Sequence, residues 1–156
     1  MPHVRIVETG DELAACLEIR REVFIEEQGV SEEDELDDRD LECVHFLALP
    51  VPQSPLSEAL GTARLLESDD GCAKAQRVAV LRRARGQNVG HALMSALEAE
   101  ARRRGFAEVG LAAQLSAIPF YQRLGYEPYG DVFDDAGIPH RSMKKRLEGA
   151  PPKTPL

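Results

Sequence analysis

The sequence predicts an α/β (α+β) domain, with a mixed and mostly antiparallel sheet of six to seven strands flanked by helices. Three observations carry that reading. Seven short stretches have strand character, three longer ones switch to helical period, and turn-forming clusters of Gly, Pro, Ser and Asp separate them. With 156 residues and 43% hydrophobic content, the chain can bury one sizeable core. We expect one domain over residues 1–148, followed by a disordered tail, "GAPPKTPL", over 149–156.

"VRIV" at residues 4–7 alternates as a first strand. Thr9, with Glu12 three residues on, spells a capping box. Leu13, Cys16, Leu17 and Phe24 then recur at helical spacing until Gly29 can supply a left-handed stop. "SEEDELDDRD" (31–40) is almost wholly acidic; such a run is ordinarily a solvated loop or frayed helix, and the alternative is a wall facing a substrate. "CVHFLAL" (43–49) reads as a strand buried on both faces, and the three prolines of "PVPQSPLSE" after it mark a surface connection. "ALGTARLLE" and "AKAQRVAVL" are strands joined through "SDDG", good turn chemistry for an antiparallel hairpin.

From Asn88 to Arg104 the period is helical, with Val89, Leu93, Ala96 and Leu97 on one face. Arg102, Arg103 and Arg104 suit the negative end of that helix, and Gly105 ends it. "FAEVGLAA" is strand-like. "SAIPFYQRLG" reads as a short helix with Ser116 as its cap, and "YEPYGDVF" and "HRSMKKRL" as two closing strands.

A formal net charge of -8 opposes broad contact with phosphate backbones, so nucleic acid is not the expected partner. No apolar run approaches the roughly 20 residues a membrane crossing needs, and "MPHVRIVETG" lacks the apolar stretch of a secretory leader. A soluble cytoplasmic protein without a membrane partner is expected. Cys16, Cys43 and Cys72 are widely spaced beside small or apolar neighbours, which predicts buried, reduced thiols. His3, His45, His91 and His140 show no metal-ligand spacing, and no metal site is expected.

Against this acidic background, "RRARGQNVGHALM" (82–94) gathers arginines where a helix begins. The first N–H groups of a helix lack intrahelical partners and, with the helix dipole, favour an anion. Gly86 and Gly90 leave the backbone approachable and Asn88 tolerates a left-handed conformation, so a diphosphate fits there. The spelling is neither a P-loop, which ends in Gly-Lys-Ser/Thr, nor a dinucleotide fingerprint, which needs a third glycine in a parallel βαβ unit. Close helix packing is the alternative explanation of a Gly-x-x-x-Gly pair.

"VAVLRRARGQNVGHALM" resembles the acetyl-CoA signature of the GNAT N-acetyltransferases, with Arg85, Gly86, Gln87, Asn88, Val89 and Gly90 on the motif. Asn88 departs from it, since glycine is usual at that place. "AQLSAIPFYQRLGY" is similar to the later motif of the same family. "EVFIEEQGV" and "DDAGIPHRSM" resemble its small ElaA-like branch, so the likeness spans nearly the whole chain.

The resemblance implies a GNAT-like sheet splayed in the middle, with acetyl-CoA (coenzyme A) as cofactor. Backbone N–H groups of residues 85–90 then take the diphosphate, and the main chain of Val78, Ala79 and Val80 pairs with the pantetheine arm as another strand. The Val80 N–H is a donor for the carbonyl oxygen under attack. Tyr121 matches the family's tyrosine beside the leaving thiolate; its alternative is a core tyrosine. For the base that deprotonates the amine, Glu27 and His140 both lie in branch-like segments, and the choice stays open. Ser116 is a secondary cofactor contact.

The reaction so implied is N-acetyl transfer to a primary amine by direct attack in a ternary complex, without an acyl-cysteine. The acid-rich residues 32–42 suggest a cationic acceptor, a small-molecule or lysine-like amine, and a homodimer is compatible with the resemblance. Two other classes remain: a CoA-binding regulatory module without turnover, kept alive by Asn88, and a nucleotide-binding oxidoreductase fragment.

Overall fold

The computed structural model describes residues 1–68 and 71–149. Asp69 and Asp70 of the predicted hairpin turn, and residues 150–156 of the tail, lie outside the described residues. Among the described residues seven strands form one sheet: β1 (His3–Ile6), β2 (Val44–Leu49), β3 (Gly61–Glu67), β4 (Ala73–Val80), β5 (Glu108–Gln114), β6 (Glu127–Asp135) and β7 (Ile138–Arg146). Their spatial order is β1-β2-β3-β4-β5-β7-β6. Among the described residues only β4 and β5 run parallel; every other pair is antiparallel. The sheet is therefore the mixed, mostly antiparallel one that the sequence predicts.

The first helix, α1 (Gly10–Arg20), starts with the predicted box: Glu12 N–H donates to Thr9 Oγ1 at 3.2 Å, and Thr9 N–H to Glu12 Oε1 at 3.0 Å. It then widens into a π turn over Arg21–Glu27, where Gln28 N–H reaches back five residues to Val23 O at 3.2 Å. Cys16, Ile19 and Val23 pack on Leu47, Leu49, Ala79 and Leu81, forming the core on one side of the sheet. On the other side α3 (Val89–Arg103) lays Val89, Leu93, Met94, Leu97 and Ala101 against Phe46, Ala63, Leu65, Ala75 and Val109. Two short helices, α2 (Glu32–Glu35) and α4 (Ile118–Arg123), flank the gap between β4 and β5. No described helix is long and apolar enough to cross a membrane, and no group of three potential metal ligands occurs among the described residues.

One extra residue in β4 sets up the site. The β3–β4 register runs from Arg64↔Gln76 to Thr62↔Ala79, so three steps on β4 face two on β3. Arg77 occupies this bulge with φ +53. A one-residue slip moves side chains to the opposite face of a sheet. Ala73 and Ala75 accordingly face the α3 core, whereas Ala79 belongs to the α1 core.

The acidic segment is largely exposed, with one helical turn, as expected, but three of its carboxylates are tied down. Arg20 and Arg64, each 1% exposed, lie beneath it. Arg20 donates to Glu35 Oε1 at 2.8 Å and Asp40 Oδ1 at 2.7 Å; Arg64 donates to Asp37 Oδ2 at 2.6 Å and Asp40 Oδ1 at 2.9 Å. Arg77 joins the ring through Glu35 Oε2 at 2.8 Å and Asp37 Oδ2 at 3.3 Å. Each of these carboxylates bridges two arginines, which fastens residues 34–40 onto α1, β3 and the β4 bulge. The thiols need a smaller correction. None of the three forms a disulfide, but only Cys16 is buried; Cys43 and Cys72 are half-buried.

Candidate active site

β4 and β5 pair only at Ala73↔Val109 and Lys74↔Gly110, and then diverge. Between them opens a cleft of ≈ 1080 Å³, reached by β4 from Ala75 to Val80, β5 from Leu111 to Gln114, the corner before α3, and α4. The open edge of β4 presents main-chain groups to it. Leu81 N–H donates to Leu60 O at 2.9 Å, and Thr62 pairs with Ala79. Because bonding direction alternates along an antiparallel strand, Val80 between them turns its N–H and C=O away from β3, toward the open side. Ala79 instead directs its main chain to β3 and its side chain into the α1 core.

The corner after β4 turns through left-handed backbone into α3. Gly86 has φ +81, and Asn88, the N-cap of α3, has φ 64 and ψ 18. Asn88 thus adopts the left-handed conformation for which glycine is favoured, and the departure from the family spelling leaves that backbone form intact. The first helical N–H to be bonded belongs to Ala92, on Asn88 O at 3.0 Å; those of residues 86–91 make no main-chain hydrogen bond among the described residues. Gly90 answers a packing need, since a Cβ there would meet Phe120 Cζ at 2.9 Å. Close packing therefore accounts for Gly90, while Gly86 answers to its left-handed backbone. The Gln87 side chain donates to Arg83 O at 3.2 Å, and the Val89 side chain is buried in the core.

Tyr121 on α4 lines the cleft with its side chain 8% exposed, edge-on to Phe120 and Tyr126 at ring separations of 4.9 and 5.9 Å. Its hydroxyl makes no hydrogen bond with the described residues, and burial pushes its pKa well up, so it carries its proton throughout the neutral range. Tyr126 differs. Its hydroxyl donates to Glu98 Oε2 at 2.8 Å, in a structural group completed by Lys145 at 2.9 Å from Glu98 Oε1. Ser116 does not cap α4 as expected: the N-cap is Ala117 with no side-chain bond, because a turn over Leu115–Ala117 intervenes. Ser116 is exposed there and lines the cleft.

The two candidate bases stand in different surroundings. His140 on β7 lines the cleft, stacks on Phe133 at 6.0 Å and places Nδ1 2.7 Å from Ile138 O. A carbonyl only accepts, so Nδ1 is the protonated nitrogen of the neutral ring and Nε2 holds the lone pair. Glu27 is gripped by Arg85 on both oxygens, at 2.8 and 2.9 Å, with Arg82 at 3.5 Å. The Arg85 hydrogen bond holds its carboxyl below the usual range. Sequence reading missed Gln28 and Gln114, which join across the cleft at 2.8 Å, and Arg77 in the bulge. Arg64 was also missed, although a charged residue inside the apolar "GTARLLE" signals a buried cation in need of carboxylates.

A sheet parted between its two parallel strands, with a left-handed corner feeding a helix beside the gap, is the splayed sheet that the GNAT resemblance implies. The model of the Acetyltransferase (GNAT) domain matches residues 56–147. The uncharacterized N-acetyltransferase YjcF of Bacillus subtilis is 35% identical over 141 residues, 90% of this chain and 96% of that protein. ElaA of Escherichia coli is 34% identical over 141 residues, 87% of this chain and 88% of that one. The crystal structure of Escherichia coli ElaA superposes with TM-score 0.79 at 31% identity, covering 94% of this chain and 100% of that chain. An acyl-CoA N-acyltransferase from Pseudomonas aeruginosa gives TM-score 0.78 at 30% identity, covering 93% and 99%. An aminoglycoside 6'-N-acetyltransferase complexed with coenzyme A shares the fold alone, at TM-score 0.74 and 17% identity over 96% and 99% of the chains. The chain belongs to the GNAT acetyltransferase family and is an ElaA-like acyltransferase.

Proposed function

We propose that the protein transfers an acetyl group from acetyl-CoA to a primary amine by direct attack in a ternary complex. The observation that carries this reading is the outward-facing main chain of Val80 beside the left-handed corner of residues 85–90. That pairing fits the cofactor: helix-terminal N–H groups of residues 86–90 suit its diphosphate, and a strand edge with no strand paired beside it suits its peptide-like arm. Acetyl-CoA supplies a thioester-activated acetyl group. Val80 N–H stabilises the charge that develops on the carbonyl oxygen. Tyr121 O–H donates toward the sulfur as the C–S bond breaks, and Ser116 gives a further polar contact at the channel wall.

A primary amine with an ordinary pKa of about 10.4 arrives as ammonium, so a proton must leave before its nitrogen attacks the carbonyl carbon. His140 Nε2 takes that proton. What supports His140 over Glu27 is that the Glu27 carboxylate is engaged by Arg85, which weakens it as a base. The acidic charge open to a cationic acceptor is narrower than the composition suggests. Asp34 and Asp135 line the cleft, whereas Glu35, Asp37 and Asp40 are already bound to arginines.

The test is release of free thiol from acetyl-CoA across a panel of amines, with Tyr121→Phe beside the wild type. Since the Tyr121 hydroxyl bonds to no described residue, the variant should keep its melting temperature while kcat falls about a hundredfold or more. A protein that binds CoA and releases thiol no faster than hydrolysis with every amine would instead be the binding module.

A further inference from the structure

The side chain of Arg85 bridges parts of the molecule that the proposed reaction treats separately. Its Nε donates to Val80 O at 3.1 Å, the carbonyl that faces the open edge of β4. Its two terminal nitrogens donate to Glu27 Oε2 and Oε1 at 2.8 and 2.9 Å. Glu27 ends the π turn after α1 on one side of the sheet, while Arg85 precedes α3 on the other, 58 residues away in sequence. The guanidinium therefore lies across the end of the strand edge at the mouth of the cleft, and both Arg85 and Val80 line that cleft.

Resting on the acetyl-CoA reading, we propose that Glu27, Arg85 and Val80 form a latch over the cofactor channel, with Glu27 as the counter-ion that holds it shut. A phosphate-bearing cofactor opens the latch by exchange: the guanidinium leaves one anion for another and releases the Val80 carbonyl to the incoming amide-bearing arm. Three features suit this exchange. The bonded face of the guanidinium matches a phosphate as well as a carboxylate. The pair is solvent-reachable, with side chains 42% and 22% exposed, so its rupture costs little. The neighbouring Arg82, 77% exposed at 3.5 Å from Glu27, supplies a second cation to that carboxylate once Arg85 departs. Glu27 is on this account a positioning residue, acting on the cofactor through Arg85.

The sign of one affinity change decides the matter. CoA binding is measured by titration calorimetry on the wild type, Glu27→Gln, Arg85→Met and the double variant, with melting temperatures as a check on folding. Glu27→Gln should tighten CoA binding about two- to fivefold, the worth of one exposed ion pair. The same substitution in the Arg85→Met background should leave affinity unchanged, because no guanidinium remains to be held. If folded Glu27→Gln binds CoA no better than wild type, or tightens equally without Arg85, the latch is wrong and the acetyltransferase reading stands. Wild-type protein that fails to bind CoA removes both.

Discussion

Beneath the acidic segment and at the cofactor corner the chain uses the same chemistry, arginine against carboxylate, in opposite settings. Arg20 and Arg64 are each 1% exposed, and every carboxylate they touch bridges a second arginine. Arg85 is 42% exposed and grips a single carboxylate, itself 22% exposed. A buried guanidinium cannot give up its partner without standing uncompensated in a poor solvent, whereas an exposed one exchanges carboxylate for water or another anion at little cost. The first set therefore fixes a wall of the cleft to the sheet. The second leaves a cation free to change partners, and both meet on β4, through Arg77 in its bulge and Val80 at its end.

The contrast predicts a graded series of effects. Arg64→Met removes one member of the buried ring and leaves Asp37 with Arg77 alone, at 3.3 Å, so chemical denaturation should register a loss of about 3–5 kcal/mol. A loss below 1 kcal/mol would place Arg64 with the surface pairs. Acid should reproduce part of this loss. Burial raises the Asp37 pKa, but its hydrogen bonds and proximity to Arg64 outweigh that and bring it to about 2. A carboxyl depressed in the fold contributes stability above its unfolded value, near 3.8, and loses it as pH falls toward 2. Melting curves from pH 5 to 2 should show the gap between wild type and Arg64→Met narrowing over that interval. A constant gap would mean that Asp37 takes no part in it.

Smaller effects belong to the corner. Asn88→Ala keeps no residue suited to φ 64 and should cost about 1 kcal/mol, while Asn88→Gly should be nearly neutral. Equal effects of the two would show that backbone conformation is not what Asn88 supplies. Last in the series, Glu27→Gln should change stability by less than about 1 kcal/mol, even as it alters CoA affinity. A large destabilisation would move this pair into the same class as the buried ring.

The parts legible in the sequence are those governed by local spacing. Thr9 and Glu12 marked the helix start, and Gly29, Gly105 and Gly125 take the positive φ expected where helices stop. The corner at residues 85–90 and Tyr121 could be located because their chemistry is written in contiguous residues. Less legible was anything made by pairing at a distance. The three arginines of the ring come from α1, β3 and β4, and no local pattern joins them to residues 35–40. Arg20 did carry a signal, since it falls four positions after Cys16, on the apolar face. The β4 bulge, the Glu27–Arg85 grip and the insertion of β7 between β5 and β6 depend on register and topology, which side-chain periodicity alone does not encode. Ser116 was misread as a cap because a turn of one more residue separates it from α4.

Amide hydrogen exchange with and without CoA tests most directly whether main chain holds the cofactor. The N–H groups of residues 86–90 and of Val80 should slow markedly when CoA is added, while the buried ring around Arg64 keeps its rates. Protection confined to another surface, with the corner exchanging as freely as before, would contradict the account.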